Sequence, residues 1–388
     1  MAGDGGISSL IRRSLKEVVA RWAVRHRPPR PSWLRPQDEA MHRWDRRRHF
    51  AEDYAFVLTQ NDLALMIRLE WMPGRACHRL WVILFEEGAV YALPGSGQEI
   101  VRGGESGQWR VGGLEIDCID PFARWRIAFH GKLDRRSVDG RTQVVTDEAG
   151  AQAVDRVDVR IDLTFLAEHP PFVPGSDDDP GLLSRRFGEA VWDAEFLRGL
   201  RRRQMRSYVQ VGELAGTIVL GGRILAIDGA ALRQHSWGVR DWGASDSALQ
   251  CFLARRGRAL LWVHRAIFPG LTLEGGFAVR ESGLRAICEL GVTVERRPGQ
   301  APRRIGLDLE VCRGKGSEVE SSEGENTEEE SSEVEEIAIE IKTLAQLSLE
   351  MDGRGRLDLA FLRASDGATG LWVGQQRILP RPESRDRR

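Results

Sequence analysis

The feature that most limits the fold is a succession of short apolar runs with a two-residue period, cut at close intervals by turn residues and almost free of helical periodicity. Tyr54 to Thr59, Ala64 to Trp71, Arg79 to Glu86 and Gly88 to Leu93 are separated by Asn61-Asp62, Pro73-Gly74 and Glu87-Gly88. Gln108 to Val111, Leu114 to Ile119, Arg124 to Gly131 and Val154 to Phe165 follow. About eight short strands at this spacing predict an antiparallel sheet closed into a sandwich or barrel. In the run from Trp125 to Phe129, Trp125, Ile127 and Phe129 share one face and Arg124, Arg126 and Ala128 the other. One face is therefore core or lumen and the other is wet. The stretch from Ser137 to Ala153, with Gly140, Gly150 and several acids, reads as a hairpin tip.

At 388 residues the chain exceeds one ordinary core and suits two units. The boundary is Pro170 to Pro180, where prolines and Asp177-Asp-Asp179 fit no ladder. Leu182 to Arg206 then reads as a helix, with Phe187, Val191, Ala194 and Leu197 as its stripe. Its end carries Arg201-Arg-Arg203 without interleaved aromatics, which fits a solvated helix end and not a nucleic-acid surface. The expected architecture is all-β, with a first β unit over 41–169, a linker and helix over 170–206, a second β unit over 207–379 and a loose tail over 380–388.

Net charge is −1, which gives no global attraction for nucleic acid, but two segments depart from balance. Residues 1–50 carry 12 Lys/Arg against 5 Asp/Glu. Within the arm 1–40, Ile11, Leu15, Val18, Val19 and Trp22 recur at helical spacing among basic residues, ending at Pro28-Pro29. Such a basic amphipathic helix can dock on the protein, serve as a mitochondrial presequence, or lie on a membrane. Residues 317–336 hold 10 Glu and almost no apolar side chain, so they read as a disordered insertion in a hairpin whose strands alternate through Ile305 to Val311 and Ile337 to Ile341. Ser317, Ser322, Thr327 and Ser332 each have Glu three residues on, a spacing that suits an acidophilic kinase as partner. Five cysteines without C-x-x-C spacing predict reduced thiols and a cytoplasmic location, with mitochondria as the alternative. No run approaches the roughly 20 apolar residues of a transmembrane helix.

Chemistry-bearing residues concentrate in Arg233-Gln-His-Ser-Trp-Gly-Val-Arg-Asp-Trp-Gly243. Upstream, Gly216 to Gly229 contains two apolar runs joined by Gly221-Gly222, a hairpin signal, and the cluster is expected to start the next strand. On a straight strand Arg233, His235, Trp237, Val239 and Asp241 face one way, and Gln234, Ser236, Gly238, Arg240 and Trp242 the other. Ser236 thus points away from His235, and no Gly-x-Ser-x-Gly occurs, which argues against a serine hydrolase. The eight histidines show neither His-x-His nor His-x-x-x-His spacing, so no metal is expected. Without Walker or Rossmann glycines, no cofactor is expected either.

This stretch resembles the Gly-x-Arg-Asp-His-Ser/Asn-Trp-Gly-x-Arg-Asp-Trp motif of lipocalin-like double-barrel proteins, a group that includes the carotenoid 1,2-hydratases. A similar domain occurs in animal phosphoenolpyruvate synthase-like proteins. Tyr208-Val-Gln210 resembles the family's Tyr-Glu-Gln, and Pro121 to Arg126 its Pro-x-x-x-Trp-Arg strand. The likeness runs from about His42 to Gln376 and implies two lipocalin-like barrels or sandwiches. One departure is Gln234, where the family usually has Asp.

Two functions follow from the resemblance. One is an enzyme that hydrates or isomerises an isoprenoid or other apolar alkene in a barrel lumen, with His235 as acid/base and Trp237 facing a developing cation. The other is a protein that holds an apolar small molecule (lipid or isoprenoid) without turnover, or an interaction module. Tyr208, Gln210, Arg240, Asp241 and Trp242 are then the residues that hold the ligand or plug the barrel end.

Overall fold

The computed structural model describes residues 16–19, 22, 31–47, 49–102, 109–139, 141, 144–146, 152–193, 205–240, 245–297, 301–312, 334–351, 353 and 355–377. It is nearly all-β, with two closed eight-stranded antiparallel barrels. The strands before the linker are β1 (Phe50–Gln60), β2 (Leu63–Met72), β3 (Cys77–Glu86), β4 (Ala89–Ala92), β5 (Glu99–Arg102), β6 (Arg110–Val111), β7 (Leu114–Asp120), β8 (Arg124–Arg136), β9 (Val144–Thr146), β10 (Gln152–Val154) and β11 (Arg156–Ala167). After it come β12 (Arg206–Leu220) and β13 (Arg223–Val239). The first ring runs β11-β12-β13-β1-β2-β3-β4-β8 and closes by pairing β8 with β11. β9 and β10 form a separate two-stranded ribbon where the hairpin tip was expected.

The second ring consists of β14 (Ser247–Arg255), β15 (Arg258–Phe268), β16 (Leu271–Arg280), β17 (Gly283–Glu295), β18 (Arg304–Cys312), β19 (Val334–Met351), β20 (Gly355–Ala364) and β21 (Thr369–Arg377). It is a meander closed by β14 against β21. The acidic insertion joins β18 to β19, and residues 313–333 lie outside the described residues.

Three sequence expectations are corrected. The second unit does not start at 207: β12 and β13 complete the first ring, so the junction falls between Val239 and Ser247. The cluster does not begin a new strand: β13 passes through Asp228-Gly229 as one 17-residue strand, and Gly221 and Gly222 turn the β12-β13 hairpin with φ of 56° and 86°. The linker helix, α1 (Pro180–Glu189), is shorter than 182–206. Asp179 caps it, accepting from the Leu182 N–H at 2.7 Å, and Leu182 and Leu183 are its buried apolar residues. Val191 lies beyond its end and is exposed, while Ala194, Leu197 and Arg201 to Arg203 lie outside the described residues.

Burial explains the apolar density of β1 to β3. Tyr54, Phe56 and Leu58 point into the first lumen, whereas Val57, with Met66, Trp81, Ile83 and Phe85, packs against Phe252, Trp262, Phe277 and Phe361 of the second barrel. A strand covered on both faces loses its polar alternation. Cys251, Leu253, Leu261, Val263 and Trp372 belong to the second barrel's own interior.

Part of the arm expected over 1–40 packs on the first barrel. Trp33, Leu34, Met41 and Trp44 pack on its core, and a 3-10 turn at Pro36–Glu39 delivers Glu39 into it. Residues 16–19 and 22 are helical, with Lys16 Nζ donating to the Ala190 carbonyl at 3.0 Å. Val18 and Trp22 are each 63% exposed, while Ile11 and Leu15 lie outside the described residues. Among the described residues no helix is long and apolar enough to cross a membrane.

Candidate functional site

β13 carries chemistry on both faces because it borders the lumen on one side and the second barrel on the other. Arg233, His235 and Trp237 point into the lumen, as the two-residue period predicts. Gln234 and Ser236 point the other way. At Gly238 φ reaches 129°, and beyond it Val239 and Arg240 both line the space between the barrels. Asp241 and Trp242 lie outside the described residues.

The lumen face is a continuous polar network under the strap of residues 31–47. Arg233 donates from Nη1 and Nη2 to the two Glu39 oxygens at 2.6 and 2.9 Å, and from Nη2 to Gln210 Oε1 at 2.6 Å. Gln210 in turn donates to the carbonyls of Phe122 (2.6 Å) and His169 (2.9 Å). Tyr208 donates to Glu39 Oε1, with His235 Nδ1 3.3 Å from the same hydroxyl. His235 Nε2 lies 3.0 Å from Glu52 Oε1, and His42 Nδ1 lies 2.8 Å from that oxygen. Aromatic faces enclose the network: Tyr54 stacks on His235 at 4.0 Å and Trp237 on His42 at 4.1 Å. The Arg233 guanidinium sits 5.1 Å from the Trp125 ring centre.

Burial pushes the His235 imidazole below its ordinary pKa, against the pull of Glu52. Burial would raise Glu52, but the hydrogen bonds of His235 and His42 outweigh it and hold the carboxyl below its usual range. Glu52 thus supplies the carboxylate beside His235 that Gln234 does not. The Arg233 terminal nitrogens, Tyr208, Gln210, His235 and Glu52 have protein partners, whereas Arg233 Nε and the Trp125 indole N–H are buried with no hydrogen-bond partner among the described residues, and the surrounding lumen is occupied by core side chains. An eight-stranded barrel has an interior just wide enough for this. Tyr208, Gln210, His235 and Trp237 are brought together beneath the strap.

The opposite face of β13 borders a cleft of about 360 Å³ between the barrels. Ala55, Val57, Met66, Ala248, Leu249, Ala266, Phe268, Leu357 and Val373 give it apolar walls. Arg68, Gln234, Arg240, Gln250, His264 and Arg265 give it polar groups. Arg240 is fixed by Glu70 Oε1 (2.7 Å), Asp53 Oδ1 (2.5 Å) and the Ser236 hydroxyl (2.5 Å), and Arg68 Nε lies 2.7 Å from Asp53 Oδ2. Burial works to raise Asp53, yet the Arg240 and Arg68 guanidiniums keep its carboxyl below the usual range. Asp178, from the Pro/Asp-rich linker, sets His264: both carboxylate oxygens lie 3.1 Å from Nε2, and Oδ1 also accepts the Gly276 N–H at 2.9 Å. A larger hollow of about 770 Å³ beside Thr293, Arg304 and Lys342 shares no lining residue with this cleft.

Sequence reasoning missed Glu39, His42 and Glu52 in the lumen and Arg68, Asp178 and His264 at the cleft. Arg68 and Glu70 inside the otherwise apolar β2 were the available signal, because charges in such a run must find partners.

The fold has a relative among solved structures. An AttH-like protein from Nitrosomonas europaea superposes with a TM-score of 0.52 at 12% identity, over 90% of this chain and 98% of that one. CghA with Sch210972 (0.43, 12% identity, 85% and 88% covered) and kievitone hydratase from Nectria haematococca (0.41, 8%, 84% and 88%) are looser likenesses that carry no functional weight. No curated protein sequence matches the chain. Neither this fold relative nor the family match supports the phosphoenolpyruvate synthase-like part of the resemblance. The lipocalin-like double barrel stands, and with residues 35–327 matched by its model, the chain belongs to the family described as domain of unknown function DUF7064.

Proposed function

We propose that the protein binds an apolar small molecule with an acidic end in the cleft between its barrels. The observation that carries this reading is the lining: apolar walls close around one side on which Arg68 and Arg240 converge. A guanidinium held by its own carboxylates keeps a fixed direction, and a second anion at the cleft meets donors already oriented. The volume lies at the lower end of small-molecule sites. The sealed lumen, in this reading, is architecture that holds β13 in place.

A long-chain fatty acid and the matching alcohol serve as probes in titration calorimetry with the full chain. The acid should bind more tightly than the alcohol, and Ala266→Trp, which fills the cleft, should lose both. Equal binding by that variant rejects the cleft.

A second reading is favoured by one pair. His264 lines the cleft and is oriented by Asp178, the arrangement a general acid or base requires. Here the protein would hydrate or isomerise a bound alkene, with His264 and not the buried His235 moving the proton. His264→Gln should then keep ligand affinity and abolish turnover; unchanged turnover removes this reading.

A further inference from the structure

Outside the cleft, His42, Glu52 and His235 converge from separate segments, with their ligand atoms within 4.8 Å of one another. Spacing along the chain could not reveal this group, since His42 lies in the strap, Glu52 on β1 and His235 on β13. We propose that these three residues form a site for a divalent transition metal ion that fastens the strap to the first barrel.

The Tyr208 hydroxyl has one proton and gives it to Glu39, so at His235 Nδ1 it can only accept. Nδ1 must then carry a proton, which leaves Nε2 of a neutral ring as a lone pair facing Glu52 Oε1 at 3.0 Å. His42 repeats the pattern: Nε2 faces Asp38 Oδ1 at 3.4 Å while Nδ1 faces Glu52 Oε1 at 2.8 Å. With Nδ1 protonated, His235 Nε2 meets Glu52 either as the second N–H of a charged ring or as a lone pair across a cation.

Glu52 is fully buried, and its hydrogen bonds go to the two imidazoles and the His42 N–H. Buried carboxylates are paired with a cation or bind one. The outer contacts are those of a metal site as well: ligating histidines hand their second N–H to a carboxylate or another oxygen, here Asp38 and Tyr208. The His42 N–H donates to Glu52 Oε2 at 2.8 Å and fixes the carboxylate's other oxygen.

Bonds of about 2.0–2.1 Å in a tetrahedron place neighbouring donors about 3.3 Å apart. The two separations to Glu52 Oε1, 2.8 and 3.0 Å, need to open by a few tenths of an ångström, and the two imidazole nitrogens lie within 4.8 Å of each other. Two histidines and one glutamate form a donor set that suits Zn²⁺.

The test uses the full chain, freed of metal by a chelator and titrated with Zn²⁺. One equivalent should bind and raise the melting temperature. His42→Gln should abolish that equivalent, and Asp38→Asn should weaken it roughly 10–100-fold. His130→Gln, on an exposed position, should leave it unchanged. Where a variant folds poorly, Co²⁺ in the unaltered protein decides: an intense visible band marks a low-coordinate nitrogen/oxygen site. Absence of a stoichiometric equivalent, retention of that equivalent in His42→Gln, or a Co²⁺ spectrum like that of the aqueous ion overturns the proposal.

Discussion

Glu39 and Arg233, 194 residues apart, form a two-pronged ion pair with no exposure to solvent on the arginine side. The strap before β1 is thereby held to the strand that completes the first ring. Burial would lower the Arg233 pKa, but Glu39 and the two tyrosines more than reverse it, so the guanidinium stays charged. Glu39→Gln leaves that charge unpaired and should cost about 3–5 kcal/mol. The double change Glu39→Met with Arg233→Met should cost less than the single one. Urea denaturation measures both, and a single-variant loss below about 1 kcal/mol would mean that the strap is not held this way.

Gly276 should tolerate no side chain. Its φ is 138°, and a Cβ there would stand 2.1 Å from the Trp262 carbonyl oxygen, a backbone atom of the paired strand. Gly276→Ala must part β15 from β16 and should destabilise by several kcal/mol, on the order of the larger single-residue effects. Thermal melting tests it, and a shift of under a degree would contradict the contact.

Cys251 supplies a pH dependence. Burial pushes its thiol up to about 12 from an ordinary value near 9. A raised thiol pKa contributes stability that is fully present below pH 9 and is lost between about 9 and 12, as the unfolded chain ionises while the folded one cannot. The slope from this group approaches about 1.4 kcal/mol per pH unit in that window. Cys251→Ala should therefore show a shallower alkaline loss than the unaltered protein. Identical slopes would count against burial of this thiol.

Replacing residues 316–333 by a short Gly-Ser turn should leave the melting temperature within a degree or two, because each doubling of loop length costs only about 0.6 kcal/mol. An acidophilic kinase should phosphorylate the unaltered chain at Ser317, Ser322, Thr327 or Ser332 and spare the shortened one. Phosphate incorporation mapped by mass spectrometry decides; incorporation elsewhere only would leave the Glu spacing without a reader.

The two-residue period and its turns determined the all-β class and which residues of Arg233 to Trp237 share a face, because side-chain alternation is a property of the strand itself. Turn chemistry at Gly221-Gly222 likewise marked the β12-β13 hairpin locally. Tertiary structure decided which ring each strand joins. β12 and β13 follow the linker in sequence yet close the first barrel, since the edges left by β11 and β1 pair with them. It also decided the partners of the buried charges. Glu39 meets Arg233, Glu52 meets His235 and Asp178 meets His264 only after ring closure brings together segments 86 to 194 residues apart. A lone acid or histidine in a sequence carries no record of the partner that its burial will demand.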